Sequence, residues 1–331
     1  MKLRSKLSSL GCLALATAAV LAAIVVPASA QAQAWPARQP IKLVAVFPPG
    51  GSVDQVARIL APVLQQRLGQ SVVVDNKGGA SGSIGTAAVA NAPADGYTFA
   101  VVFDTHGVNP SLIASLPYDT KRDLTAVSLI GTGAMVITTV ASSPYKSFAD
   151  VVNASKSGSS ISYGSIGSGS LGHLAVTMLA KSGKLDLVHV PYRGGGPLMN
   201  DAVAGHVPLA VGSVFLSKPH IDSKRLRALA VTTSQRSANL PEVPTVAESG
   251  FVGFDAPAWW AVLAPAKTPA DIVKRLNEEI NAALRQPEVA EKLAAQGIVT
   301  NIGTPAAAQA FIESQVDTWA KIVKANDIKA D

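Results

Sequence analysis

Between residues 41 and 103 the chain alternates strand and helix patterns over very short turns, and that alternation restricts the fold more than any other feature. "IKLVAVF" (41–47) is a continuous apolar run of the buried-strand type. "SVDQVARILAPVLQQRLG" (52–69) has helical spacing and stops at Gly69. "SVVVDNK" (71–77) reads as a strand, "GSIGTAAVANA" (82–92) as a helix and "YTFAVVF" (97–103) as a strand. Strands joined by short helical crossovers run parallel, with helices on both faces of the sheet. The pattern restarts after "MVITTVASS" (135–143), with a helix around 148–156, a strand at 161–166, a helix at 170–181, a strand at 187–190, a helix at 196–204 and strands near 208–213 and 226–233. A loop rich in Pro and Gly (241–257) leads to "WWAVLAPA" (259–266), and helices at 269–285, 287–296 and 305–325 close the chain. Two α/β units in one chain predict two lobes with a cleft between them, and ligands of open α/β sheets sit beyond the carboxyl ends of the strands.

The N-terminus sets the compartment. Lys2, Arg4 and Lys6 precede an apolar run from Leu10 to Val26, and Ala28-Ser29-Ala30 follows. This is the order of a secretory signal peptide, residues 1–30, with cleavage near Ala30 or at the second small-residue site, Ala34. Gly11, Cys12 and Thr17 interrupt the run and Pro27 ends it, which argues against a retained anchor. Ser9-Leu10-Gly11 is a poor lipidation context for Cys12. Without this leader the net charge falls from +6 to +3, since it holds three Lys and Arg and no acidic residue. The chain's one cysteine also lies in it, which excludes a disulfide framework in the remainder. The remaining chain, about 300 residues, can bury cores for two domains. A mild positive charge without basic runs argues against nucleic acid. The expected product is exported and periplasmic.

Two stretches fit a ligand position. In "FPPGGSVDQVAR" (47–58), Gly50 and Gly51 let backbone approach a ligand, Ser52 can donate, and Asp54 can cap the helix that follows. In "ISYGSIGSGSLGH" (161–173), Ser165 to Ser170 lead into a helix carrying His173. Each reads as an anion-receiving nest. The second contains Gly167-x-Gly169-x-x-Gly172, the dinucleotide-binding spacing. An NAD site, however, wants an acidic residue at the end of the next strand; Asp186 precedes "LVHV" instead, and an exported protein meets little NAD. There is no G-x-S-x-G, no Walker lysine and no H-E-x-x-H, and the five histidines show no metal-ligand spacing. No cofactor or metal is expected. A hydrolytic site built from Asp104, His106 and His173 is the alternative from another functional class.

A longer series of motifs carries a resemblance: "FPPGGSVDQVAR", "VVVDNKGGASGSIGTAAVANAPADGYTF", "YGSIGSGSLGHLA", "VPYRGGGPLMNDAVAGHV", "LRALAVTTSQRSANLPEVPTVAESG" and "WWAVLAPAKTPADIV", in order along nearly the whole chain after the leader. The chain resembles the Bug family, periplasmic solute-binding receptors of tripartite tricarboxylate transporters. The resemblance implies an α/β type II periplasmic-binding-protein fold, a two-lobed flytrap with mixed, mainly parallel sheets. Lobe one would be 35–134 plus 258–331 and lobe two 135–257, with "MVITTV" and the stretch before "WWAVLAP" as crossovers. It implies a small carboxylate held between the two glycine loops, by Phe47, Gly50, Gly51, Ser52 and Asp54 from lobe one and Ser165, Gly167, Ser168, Gly169 and His173 from lobe two. Asp54 is expected to cap or orient water, because like charges repel. For the distal end of the ligand, Asp104 and His106 in "FDTHGVNP" are expected at the cleft rim, to receive an amine, a hydroxyl or a protonated carboxyl or to pair with each other or with Arg193, and Arg193 can meet a second carboxylate. Ser213 to Phe215 can line the wall. Trp259 and Trp260 are expected between the lobes, and His189 in the core. A dicarboxylate, aliphatic or aromatic, is favoured; an amino acid or aromatic monocarboxylate is the alternative. The expected partners are integral-membrane permease subunits, and the expected state is a monomer. A signalling receptor that presents its ligand to a sensor has the same sequence signature.

Overall fold

The computed structural model describes residues 35–295, 297–325 and 328. The expected signal peptide, its cleavage site and Cys12 lie outside them. The elements in order are β1 (Ile41–Ala45), α1 (Ser52–Leu68), β2 (Val72–Asn76), α2 (Ser83–Ala90), β3 (Thr98–Phe103), α3 (Thr105–Leu112), β4 (Leu124–Gly133), β5 (Met135–Val140), α4 (Phe148–Lys156), β6 (Ile161–Ser165), α5 (Leu171–Gly183), β7 (Leu187–Pro191), α6 (Gly195–Ala204), β8 (Leu209–Ser213), α7 (Val214–Asp222), β9 (Leu226–Val231), β10 (Ala258–Pro265), α8 (Ala270–Leu284), α9 (Pro287–Ala295), β11 (Ile298–Thr300) and α10 (Pro305–Ala325).

They form two sheets, ordered β11-β4-β10-β3-β1-β2 and β7-β6-β8-β5-β9. The pairs of β1 with β2 and β3, and of β6 with β7 and β8, are parallel, as strands joined by helical crossovers must be. Pairs made by β10, β11 and β5 are antiparallel. The sheets are therefore mixed: eight of the eleven strands among the described residues run in the main direction of their sheet, and β10, β11 and β5 enter from the opposite end. Strand β10 runs through the middle of the first sheet with all eight residues buried, which explains its unbroken apolar sequence. Helix α1 turns Val53, Val56, Ala57, Leu60, Ala61 and Leu64 inward, the stripe expected of a helix packed on a sheet.

Four elements depart from the sequence reading. Thr105–Leu112, read as loop, is helix α3 despite its Gly, Asn and Pro. Val214 and Phe215, read as a strand end, open helix α7. Strands β4 and β11 were not expected; β4 pairs with both β10 and β11. "MVITTV" is not itself a crossing but strand β5, within the second sheet. The chain passes between sheets at Ala134, between β4 and β5, and returns over residues 232–257. The two passages lie side by side. Thr232 N–H donates to the Met135 carbonyl (3.0 Å), Ala256 N–H donates to the Thr232 carbonyl (2.9 Å), and the Thr232 hydroxyl donates to the Ala256 carbonyl (2.8 Å).

Candidate functional site

The carboxyl ends of β1, β3, β6 and β8 point at one seam between the two sheets. Phe47, Gly51, Ser52 and Phe103 line it from the first side, Ile166, Gly195, Ser213 and Leu216 from the second, and Met135 closes it at the crossing. The cavity left in the seam is only about 10 Å³, room for about one water and far below the size of a small-molecule site. Its own walls nearly fill it, so a ligand requires the two sides to part.

On the first side, Gly50 sits at φ +82°, a left-handed conformation that favours glycine. Its N–H donates to Asp54 Oδ2 (3.0 Å), and Arg58 Nε donates to Asp54 Oδ1 (2.9 Å). Burial pushes the Asp54 carboxyl up, but hydrogen bonds from Arg58, Gly50 and Asn76 outweigh it and hold the group below the usual carboxylate range. Asp54 is thus a brace for the loop and does not cap α1. No side chain caps that helix: its N-cap is Gly51, and its opening residues Ser52 and Val53 face the cavity. As first-turn groups, their N–H donors have no partner within the helix. The Ser52 hydroxyl accepts from Trp260 Nε1 (3.3 Å), and Trp260 packs on Phe103 at 4.9 Å and on Phe215 across the seam at 6.5 Å. Trp259 is on the other face, against Phe311 of α10.

On the second side, Ser165 is fully buried and its hydroxyl is a hub. It lies 2.7 Å from His189 Nε2, receives the Ser170 hydroxyl (3.0 Å) and accepts from Gly167 N–H (3.3 Å). Gly169 N–H donates to His173 Nδ1 (3.0 Å), and Ser170 caps α5 by accepting from His173 N–H. The glycine fingerprint therefore spends its Gly167 and Gly169 N–H groups on its own loop. The uncapped helix start here is that of α6, where Gly194 is the N-cap and Gly195 lines the cavity. Ser213 caps α7 by accepting from Leu216 N–H. His189 is only partly buried, stacked on His173 at 3.9 Å, rather than a core residue. Arg193 is exposed on the turn before α6, whose Gly194 abuts Pro48 across the seam.

Asp104 and His106, expected together at the rim, diverge. Helix α3 turns them about 200° apart over two residues. Asp104 is fully buried next to Phe103, outside the lining of the cavity itself, with its carboxyl near the N–H of Leu171, the first residue of α5 on the other side of the seam. His106 is buried against the Tyr118 ring (6.0 Å, 7° between planes), away from the cavity lining, and burial pushes its pKa down to about 4. Of the three residues of the hydrolytic alternative, His106 thus faces Tyr118 and His173 Nδ1 is engaged within its own loop.

The sequence reading missed Ser81. It belongs to a turn in which Ala80 and Ser81 both have positive φ (45° and 53°), it donates its hydroxyl to the Ser168 carbonyl across the seam, and Asn109 Nδ2 holds its own carbonyl at 3.1 Å. Leu112 of α3 covers Gly169 from the same direction. The glycine-rich "GGASG" before α2 carried a signal for a turn, but not for which loop it would face.

Among known proteins, the model of the tripartite tricarboxylate transporter family receptor matches residues 56–328. Protein BugT of Bordetella pertussis is 38% identical over 307 residues, which is 92% of this chain and 94% of that protein. The structure of R. palustris Rpa4515 with adipate aligns at a TM-score of 0.86 and 34% identity, covering 90% of this chain and 100% of that one. That of the periplasmic binding protein BugD aligns at 0.84 and 33%, covering 89% and 99%. Matched over most of its length in both sequence and fold, the chain belongs to the tripartite tricarboxylate transporter receptor family, the Bug family of periplasmic solute-binding receptors, and has their type II periplasmic-binding-protein fold.

Proposed function

We propose that this chain captures a small carboxylate in the seam between lobe one (35–134 plus 258–331) and lobe two (135–257), and delivers it as a monomer to the permease subunits of a tripartite tricarboxylate-type transporter after export to the periplasm. The observation that carries this reading is the meeting of two uncapped helix starts, α1 at Gly51–Val53 and α6 at Gly195, on one cavity between the sheets. Aligned N–H groups there favour an anion without any fixed cation. The loop residues Gly50, Asp54, Ser165, Gly167, Ser168, Gly169 and His173 brace one another and hold these donors in place. Adipate in the Rpa4515 structure favours a dicarboxylate, and Arg193 at the rim is the group to meet its second charge. Binding works by closure: the paired crossings at Met135, Thr232 and Ala256 are the natural hinge, and a ligand that prefers the closed form by a few kcal/mol shifts the population to it.

The test is a thermal-shift titration against mono-, di- and tricarboxylates with their methyl esters and NAD as controls. Saturation at a hundred times Kd adds about 2.7 kcal/mol. A shift with a free acid that its ester fails to give is the expected outcome. A shift with NAD, or with no acid, refutes the carboxylate reading.

A further inference from the structure

One group in the seam is left unexplained by its contacts. Asp104 ends β3, is fully buried, and neither of its carboxyl oxygens has a hydrogen-bond partner among the described residues. The N–H groups of Leu171 and Thr105 approach it without reaching hydrogen-bond geometry. Buried polar groups in folded proteins are paired, and a carboxyl left alone is costly, so the partner of this one has to come from elsewhere. The basic groups of the two loops are engaged with other partners: Arg58 is paired with Asp54 and His173 Nδ1 is taken by Gly169 N–H, while His106 packs on Tyr118. Asp104 comes from one lobe and the start of α5 that covers it from the other, so opening of the seam exposes the carboxyl to an incoming ligand. In the open state the carboxyl loses the burial that keeps it protonated in the closed, ligand-free seam, and an ionised carboxyl only accepts hydrogen bonds; it repels a second carboxylate and gains nothing from a methylene.

We infer that Asp104 is a specificity-determining residue of this cleft, which selects a small carboxylic acid bearing a hydroxyl or ammonium group that donates to the Asp104 carboxyl. The inference rests on the carboxylate-receptor reading above and adds what the rest of the ligand must carry. The uncapped helix starts hold the ligand's carboxylate, and Asp104 tests for a donor elsewhere on the molecule.

Two matched sets of acids separate the possibilities: succinate, malate and aspartate, and propionate, lactate and alanine. Each is titrated calorimetrically into the full-length protein after unfolding and refolding to strip bound ligand, and into Asp104→Ala and Asp104→Asn, with thermal unfolding as the check that both variants fold. In at least one set the hydroxy or amino acid should bind at least about tenfold more tightly than the unsubstituted acid. Asp104→Ala should bring that set's members to within about twofold of each other. Asp104→Asn, which still offers a carbonyl oxygen but no charge, should spare a hydroxy acid and lose an amino acid, which identifies the donor. An unsubstituted acid that binds wild type as tightly as its substituted partners, or a preference that survives in Asp104→Ala, overturns the inference and leaves the receptor reading intact. Failure of all six acids to bind wild type overturns both.

Discussion

Asp104 and His106 stand two positions apart and titrate in opposite senses, which makes each testable by pH. Burial raises the Asp104 pKa well above that of the unfolded chain, against the weaker pull of the Leu171 and Thr105 N–H groups. The folded state therefore favours the protonated acid. Its stabilising effect is complete below the unfolded pKa near 3.8 and is lost as pH rises through the folded value. Asp104→Asn, an isostere of the neutral acid, should leave the ligand-free protein unchanged near pH 4 and more stable at pH 8, by about 1–3 kcal/mol, read as a rise in Tm or in urea midpoint. His106 goes the other way. Its pKa falls to about 4 from 6.5, so the unfolded chain binds a proton that the folded chain refuses. Stability is full above 6.5 and declines as pH falls toward 4, by about 3 kcal/mol in total. Urea unfolding of His106→Gln should lack this part of the acid slope; an identical slope would mean that His106 is solvated. Neither environment was legible in "FDTHGVNP", because a loop would have turned both side chains to the rim together and only the helix separates them.

At the scale of elements, capping distinguishes the helix starts that meet at the seam. Helices α5 and α7 begin with Ser170 and Ser213, whose hydroxyls satisfy the N–H groups of His173 and Leu216. Helices α1 and α6 begin with Gly51 and Gly194, which cannot do so. Ser170→Ala should destabilise the protein by about 1 kcal/mol through loss of the cap and of the bond to Ser165. Its chief sign in thermal unfolding would be a Tm lower by a few degrees. Gly169→Ala places a side chain at φ +76° with its Cβ 2.9 Å from Leu112 Cδ1. The strain is of order 1 kcal/mol, and it falls on the closed seam, so ligand affinity should drop more than unliganded stability. Comparing the change in Kd with the change in Tm checks this. The glycine positions themselves were readable, since a turn from strand to helix leaves a local signature. Their partners were not: Gly167 and Gly169 look like ligand donors in sequence, and only the placement of Ser165 and His173 shows them already engaged.

For the whole molecule, a few contacts between residues far apart in sequence join the two sides of the seam. Ser81 reaches the Ser168 carbonyl, and Thr232 joins the two crossings. Ser81→Ala should weaken ligand binding by about 0.5–1.5 kcal/mol, three- to tenfold in Kd, by loss of a bond made only when the lobes meet. An unchanged Kd would show that this contact is equally present with the lobes apart. Small-angle scattering should record a smaller radius of gyration on ligand addition, and none of that change with the esterified acid.

The sequence alone determined the alternation of strands and helices, the division into two α/β units, the two glycine turns and, through motifs spread over most of the chain, the family. These follow from periodicity and turn chemistry, which act within a few residues. Tertiary structure decided the rest. Helix α3 forms from poor helix formers because it packs against α10 and the turn before α2, and that packing sends Asp104 into the seam and His106 into the core. Strand β4 is set by its pairing with β10 and β11, and Ser81 and Thr232 acquire roles only through partners some 90 and 100 residues away. A side chain's chemistry is written at its own position, but whether a donor is spent or free, and whether a carboxyl is solvated or sealed, depends on what the fold brings up against it.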